Sequence, residues 1–212
     1  PNNMAICLSG DFDPDEMLAI IEKYFGQMEP NKDLPELKFE TASVIESPMS
    51  KDVYGLDAEN IMIGWKYPGA GTHEAMVADV VSYILSNGSA GLIDLNLNQQ
   101  QKVLGAQAMS YTRPDAGEFI IMAIPKHGQS LEEVKDLVLA EIAKLRDGEF
   151  DESLLTGTIN NLKLNMMEVM EENSGRADMY VQSFINGTDW ADEVAWLDNL
   201  SKVTKQDVID WA

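Results

Sequence analysis

The chain is poor in the side chains from which most catalytic centres are assembled. Its 212 residues include one cysteine and two histidines. Cys7 has no partner for an internal disulfide, so no disulfide framework holds the fold. It sits in an apolar stretch and reads as a small core residue. His73 and His127 stand far apart, and neither has a second His or a Cys at ligand spacing. Zinc takes three or four ligands, so a structural or solvent role is the expectation for both. Positive charge is scarce as well, with 15 Lys and Arg against 36 Asp and Glu, a net −21. Nucleic-acid binding needs a basic face that releases counterions, and this charge excludes it. Anionic membrane surfaces are disfavoured for the same reason. The acid excess reads as solubility or, more specifically, as a field that attracts basic peptides. The longest apolar run, Phe119 to Ile124, is about six residues, against the ~20 of a membrane helix, so no membrane insertion is expected. No secretory or transit segment is visible. There is no Gly-x-Ser-x-Gly elbow, no Gly-x-Gly-x-x-Gly and no phosphate loop.

What is present is organised around Ser86 to Pro125. A glycine loop opens a short element, and two strands follow, Gly105–Thr112 and Glu118–Ile124, with turn chemistry in Arg113-Pro114-Asp115-Ala116-Gly117. Every residue of the second strand after Glu118 is apolar, which predicts burial on both faces beneath covering helices. Around this hairpin lie amphipathic segments with clear starts. Asp13 and Pro14 open a helix that Gly26 ends. Thr72 caps His73–Leu85, Ser130 and Glu133 form a capping box for a helix to Arg146, and Asp151 caps a long helix through Met170. Helical patterns continue over Arg176–Ile185 and Trp190–Leu200, and Thr204 with Asp207 opens a last helix that stops without a C-terminal signal. Strands are expected at Asn3–Ser9 and Asn60–Tyr67. Leu92–Asn98 alternates like a strand, yet Gln99-Gln100-Gln101-Lys102 suits a helix. Residues 31–50, with Pro30 just before them and Pro35 and Pro48 within, read as a linker. Strands mixed with segregated helices make the fold α+β, and the two ends read as those of a segment cut from something longer.

Each candidate for chemistry has a plainer alternative. His73 beside Glu74 at a helix N-terminus is half of a zinc motif and no more. Gly88-Ser89-Ala90-Gly91 could cradle an anion, but it reads first as a plain helix start. The carboxylates Glu132 and Glu133, Glu168, Glu171 and Glu172, and Asp192 and Glu193 lie on helices with apolar opposite faces and read as solvated surface. Met166, Met167 and Met170 could line an adaptable groove, but at helical spacing they read as core. These residues by themselves support no catalytic centre, no cofactor site and no metal site.

Several stretches, in order, resemble the insulinase-like (pitrilysin-type) zinc metallopeptidases. Asn3-Met4-Ala5-Ile6-Cys7-Leu8-Ser9-Gly10-Asp11 is similar to that family's Asn-Met strand running into Gly-Asp, and Lys23-Tyr24-Phe25-Gly26 to the helix end that follows. Ile84-Leu85-Ser86-Asn87-Gly88 with Gly91-Leu92 resembles the loop and helix before the family's hairpin. Phe119–Pro125, Ser130–Val134 and Val203–Val208 resemble the pieces after it. The resemblance implies an antiparallel sheet covered by helices, a half-unit of the mitochondrial-processing-peptidase-like fold, and makes Leu92–Val103 a helix. It implies that residues 1–30 are the terminal strand and helix of a preceding unit, 31–50 a linker, and 51–212 the non-catalytic C-terminal-type domain. With that domain's own final strand missing, Met4–Ser9 is expected to fill the vacant sheet edge. In the family, zinc sits on His-x-x-Glu-His in the unit before this one. That motif is absent here, so no catalytic or metal residue is carried over, and Arg113 and Tyr111 stand too close to match the family's substrate-holding pair. The implied role is the wall of a zinc-dependent metalloendopeptidase that encloses and degrades peptides. Its partners would be the catalytic unit of the same polypeptide and peptide substrates, with zinc in the parent and none in this chain. The alternative is an assembly subunit of the same fold without protease activity.

Overall fold

Local chemistry starts most of the helices where the sequence places them. The computed structural model describes residues 2–35 and 45–212; of the linker segment 31–50, residues 36–44 lie outside the described residues. Helix α1 (Pro14–Phe25) is capped by Asp13, whose side chain accepts the N–H groups of Asp15 and Glu16. Thr72 caps α2 (His73–Leu85) and the Ser130–Glu133 box caps α3 (Leu131–Arg146). Asp151 caps α4 (Glu152–Glu171) and Asp189 caps α6 (Trp190–Leu200). The Thr204–Asp207 box opens α7 (Lys205–Trp211). Such side chains satisfy amide donors that the first helical turn leaves free, at about 1 kcal/mol each. Helix α5 (Asn173–Asn186) lacks a side-chain cap and follows α4 after the single extended residue Glu172.

Strands β1 (Ile61–Pro68), β2 (Gly105–Thr112) and β3 (Ala116–Ile124) form an antiparallel sheet in the order β1-β3-β2. Ile61, Ile63, Trp65 and Tyr67 stand opposite Ala123, Ile121, Phe119 and Gly117, which also face Ala106, Ala108, Ser110 and Thr112. Directly opposed residues share a face, so these define the inner surface. Phe119, Ile121 and Ala123 join a core built from Val77, Val80, Val81, Ile84 and Leu85 of α2, Val134, Val138 and Leu145 of α3, and Val208 of α7. Phe119 meets Trp211 edge-on at 5.0 Å, and the Trp211 indole donates to the Glu74 carbonyl at 3.0 Å. These contacts lock α7 against α2 and the sheet.

Four expectations fail here. β3 is buried on one face only: Gly117, Phe119, Ile121 and Ala123 are buried, while Glu118, Ile120, Met122 and Ile124 remain half-exposed. The helices that pack on the sheet share a single core on that face, and Met62 on the opposite face is 62% exposed. The helix expected over Leu92–Val103 ends at Asn98, and Asp94–Asn98 is π-helical, closed by Gln99 N–H to the Asp94 carbonyl at 2.8 Å. The backbone leaves the helical path at Gln101, which adopts φ +53°, and the Asn98 side chain bridges to the strand that follows. Its amide oxygen accepts from the Ala106 N–H and its amide nitrogen donates to the Ala106 carbonyl, each at 2.8 Å, as a neighbouring strand residue would. Finally, Met4–Ser9 is not a strand and pairs with no strand of the described sheet, so it does not fill the vacant edge. Ser9 instead reaches α5, accepting from the Arg176 guanidinium at 2.8 Å. Cys7 is half-buried and outside the core.

Candidate functional site

The two histidines do not converge. His73 is exposed at the start of α2, with Nε2 3.5 Å from the Asp207 carboxylate, and His127 lies in the exposed turn after β3. Glu74, the other half of the apparent zinc motif, serves α7 through its backbone carbonyl. Among the described residues, no three His, Cys, Asp or Glu side chains gather as a metal would require.

The glycine loop does hold an anion, and the anion is its own. Asp94, 5% exposed, accepts the N–H groups of Asn87 and Gly88 through one carboxylate oxygen, each at 2.8 Å. Gly88 adopts φ +80°, which turns its amide inward at no steric cost. Ser89 and Ala90 donate to the Asn87 side chain. The donors that would cradle a phosphate are therefore already engaged. The sequence signal for this is Asp94 itself, six residues after Gly88, which the alternating pattern of Leu92–Asn98 masks.

A polar seam joins α2 to the sheet. The Ser110 hydroxyl donates to Asp79 at 2.6 Å, and Tyr67 and Thr112 share a hydrogen bond of 2.8 Å. Burial pushes the Asp79 carboxyl above its ordinary range, with the Ser110 hydrogen bond opposing it. Burial also raises the Tyr67 phenol, and the nearby charges of Asp79 and Glu118 raise it further against the Thr112 hydrogen bond. Asp79 with Ser110 fastens α2 to β2, and Tyr67 with Thr112 fastens β1 to β2 across β3.

The remaining carboxylates divide by position. Glu133 completes the α3 capping box and Glu132 pairs with Lys135. Glu118 pairs with Arg113 at 2.6 Å in the hairpin, and the Tyr111 hydroxyl lies 3.2 Å from the Met109 sulfur. Glu168, Glu171 and Asp192 are exposed. Glu172 and Glu193, by contrast, rim a cleft of about 530 Å³ between α4, α5 and the start of α6. Asp178 joins that rim, and Met166, Val169 and Met179 line the cleft between the carboxylates. Glu193 is held in place by the Thr188 hydroxyl, which donates to it at 2.6 Å. The cleft exists because of Gly175, where a Cβ would stand 2.0 Å from the Val169 carbonyl oxygen. Only glycine lets α5 fold back this closely on the end of α4. The core reading of the methionines is corrected here. Burial on α4 stops at Leu162; Met166 is half-buried, Met167 is 55% exposed and Met170 38%.

With this geometry in view, the likenesses to known proteins are informative. The family model described as the peptidase M16 inactive domain matches residues 1–162. No curated protein sequence matches the chain. A protease from Helicobacter pylori has the same fold over 95% of this chain and 50% of its own, with a TM-score of 0.79 at 17% identity. The inactive peptidase domain of a candidate zinc protease from Bordetella parapertussis aligns over 72% of this chain and 81% of its own, with a TM-score of 0.63 at 14% identity. A chain of Complex III2 from Candida albicans aligns over 95% of this chain and 49% of its own, with a TM-score of 0.68 at 15% identity. The chain thus spans about half the length of the first and third of these structures. At these identities the likeness establishes the α+β fold.

Proposed function

This chain belongs to the peptidase M16 inactive-domain family, and from that membership we propose that it is the non-catalytic unit of a zinc-dependent metalloendopeptidase. It packs on a catalytic unit of the same polypeptide and forms part of the wall that encloses peptide substrates. Zinc belongs to that other unit. Residues 51–212 make the wall domain, 31–50 link it, and 1–30 complete the neighbouring unit.

The observation that carries the reading is the uncovered N-terminal arm. No residue of α1 is buried, and Leu18, Tyr24 and Phe25 are 62%, 67% and 43% exposed. Ahead of it Met4, Ile6 and Leu8 alternate outward along an extended stretch. An amphipathic helix is held in place mainly by burying its apolar face, and none of the described residues buries this one. A neighbouring unit supplies the missing surface.

Zinc content and peptide cleavage test the proposal. The polypeptide that includes the catalytic unit binds stoichiometric zinc and cleaves peptides in a chelator-sensitive way, whereas residues 1–212 alone do neither. Stoichiometric zinc together with cleavage by residues 1–212 alone would overturn it. The assembly-subunit reading, which the fold shared with the Complex III2 chain keeps in play, predicts that the longer polypeptide lacks both properties.

A further inference from the structure

We infer that the cleft between the glycine loop and the edge of β2 binds a small organic cation with N–H donors, an alkylammonium or guanidinium compound. This does not depend on the wall role and holds for either reading above. The cleft measures about 440 Å³, within the range of small-molecule sites. Ser86 and Gly88 of the loop bound it on one side, and β2 from Ala106 to Ala108 on another. Between them stand Asp94 and Asn98 of the π turn, with Gln99 at its end. π turns are rare and gather at functional sites, and this one brings two polar side chains to the cleft. The Asp94 carboxylate carries the argument furthest. It is 5% exposed, and among the described residues no Lys, Arg or His pairs with it. Its Oδ2 accepts the Asn87 and Gly88 amides at 2.8 Å, whereas Oδ1 has only the Asn98 amide at 3.4 Å. That same Asn98 nitrogen already donates to the Ala106 carbonyl at 2.8 Å. A carboxylate at this depth is stable when paired or fully hydrogen-bonded, and Oδ1 is neither.

The rest of the lining adds acceptors and no positive charge. Gln99 donates its amide N–H to the Ser89 carbonyl at 2.7 Å, which leaves its amide oxygen. β2 is an edge strand, and alternate residues turn their backbone groups away from β3. Ala106 is one of these, since Asn98 takes both its N–H and its carbonyl. Ala108, two residues on, presents its carbonyl to the same edge and also lines the cleft. No Lys, Arg or His lines it. These features select one occupant. An anion is repelled by Asp94, and a neutral molecule leaves its charge unpaired. A hard divalent ion gathers several charged oxygens, and Asp94 is the one carboxylate on the cleft. A cation with several N–H groups donates to Asp94, to Ala108 and to Gln99 together.

Titration of the ¹⁵N-labelled protein with methylguanidinium, followed by NMR, tests the assignment. Two comparators accompany it: tetramethylammonium, which has the charge but no N–H, and methylurea, which has N–H groups but no charge. Methylguanidinium shifts the Asn87, Gly88 and Ala108 amides saturably, and neither comparator does so at the same concentration. Asp94→Asn keeps an oxygen for the two loop amides and removes the charge. It weakens binding by about tenfold, the difference between a hydrogen bond to a charged group and one to a neutral group. Asp33→Asn makes the same charge change at an exposed position away from the cleft and leaves binding within about twofold. Equal loss in the two variants, or an equal response to tetramethylammonium, overturns the proposal. The unmutated protein gives an independent answer should Asp94→Asn fail to fold. Saturable shifts around the glycine loop and β2 support the site, and shifts confined to other elements refute it.

Discussion

Replacing Asp94 by alanine tests whether the glycine loop is closed from within. The carboxylate is 5% exposed and accepts two backbone N–H groups at 2.8 Å, with a weaker contact from the Asn98 amide at 3.4 Å. Hydrogen bonds to a charged group contribute about 1.5–3 kcal/mol each, and removing the acceptor leaves two sheltered donors without partners. Against this, alanine escapes the cost of dehydrating a buried carboxylate. The net expectation is a loss of about 3 kcal/mol, which in a domain of this length lowers Tm by about 9 °C. Urea unfolding of wild type and variant, with and without inorganic phosphate, measures it. Phosphate restores part of the lost stability in Asp94→Ala, because the freed N–H groups and the positive φ of Gly88 then offer a vacant anion site, and it leaves the wild type unmoved. A wild-type protein stabilised by phosphate, or an Asp94→Ala variant as stable as wild type, would refute the reasoning. The loop would then be an external anion site.

Two further substitutions probe the elements that shape the cleft and the seam. Gly175→Ala drives a methyl group into the Val169 carbonyl and costs about 2 kcal/mol or more, whereas Gly157→Ala in mid-α4, where a Cβ meets nothing within 4 Å, gains about 0.5–1 kcal/mol. Thermal melts of both variants, with hydrogen exchange along α5 for the first, decide it; equal destabilisation would show that the α4–α5 corner is not set by close approach. Asp79→Asn concerns pH. The folded carboxyl binds its proton more tightly than the unfolded one, so stability is greatest below the ordinary value of 3.8 and falls as pH rises through the raised folded value. Asparagine keeps an acceptor for Ser110 and has no charge to bury, so the variant matches or exceeds wild-type stability at neutral pH and loses that part of the pH dependence. A variant less stable at neutral pH than near pH 4 would contradict the burial argument.

Much of the secondary structure was legible because its determinants are local. Asp13, Thr72, Ser130, Asp151 and Thr204 each act on amides two or three residues away, so the sequence places those helix starts without knowledge of the rest. The hairpin is local in the same sense, since its turn carries the required proline and glycine. Site residues were harder to read. Histidine, cysteine and nucleophile spacing carries little here, and helical spacing alone places Met166 in a core that it does not join. Nothing in the local pattern reveals that α4 outruns the core after Leu162, because burial depends on what stands opposite.

What the sequence by itself determined is most of the helix starts, the β2–β3 hairpin, the α+β class and a net charge of −21. The tertiary structure alone decided the faces and the partners. Helices gather on one face of the sheet and leave Met62 and Met122 on the other, so an apolar strand alternates in burial. Met4–Ser9 has strand composition yet pairs with no strand among the described residues, because a ladder needs a second backbone brought from elsewhere in the chain. The Asn98 side chain, at the end of its helix, pairs with Ala106, eight residues away. Caps and turns close within a few residues and are written locally. Strand pairing, one-sided burial and the cleft beneath Glu172 come from elements meeting across the fold.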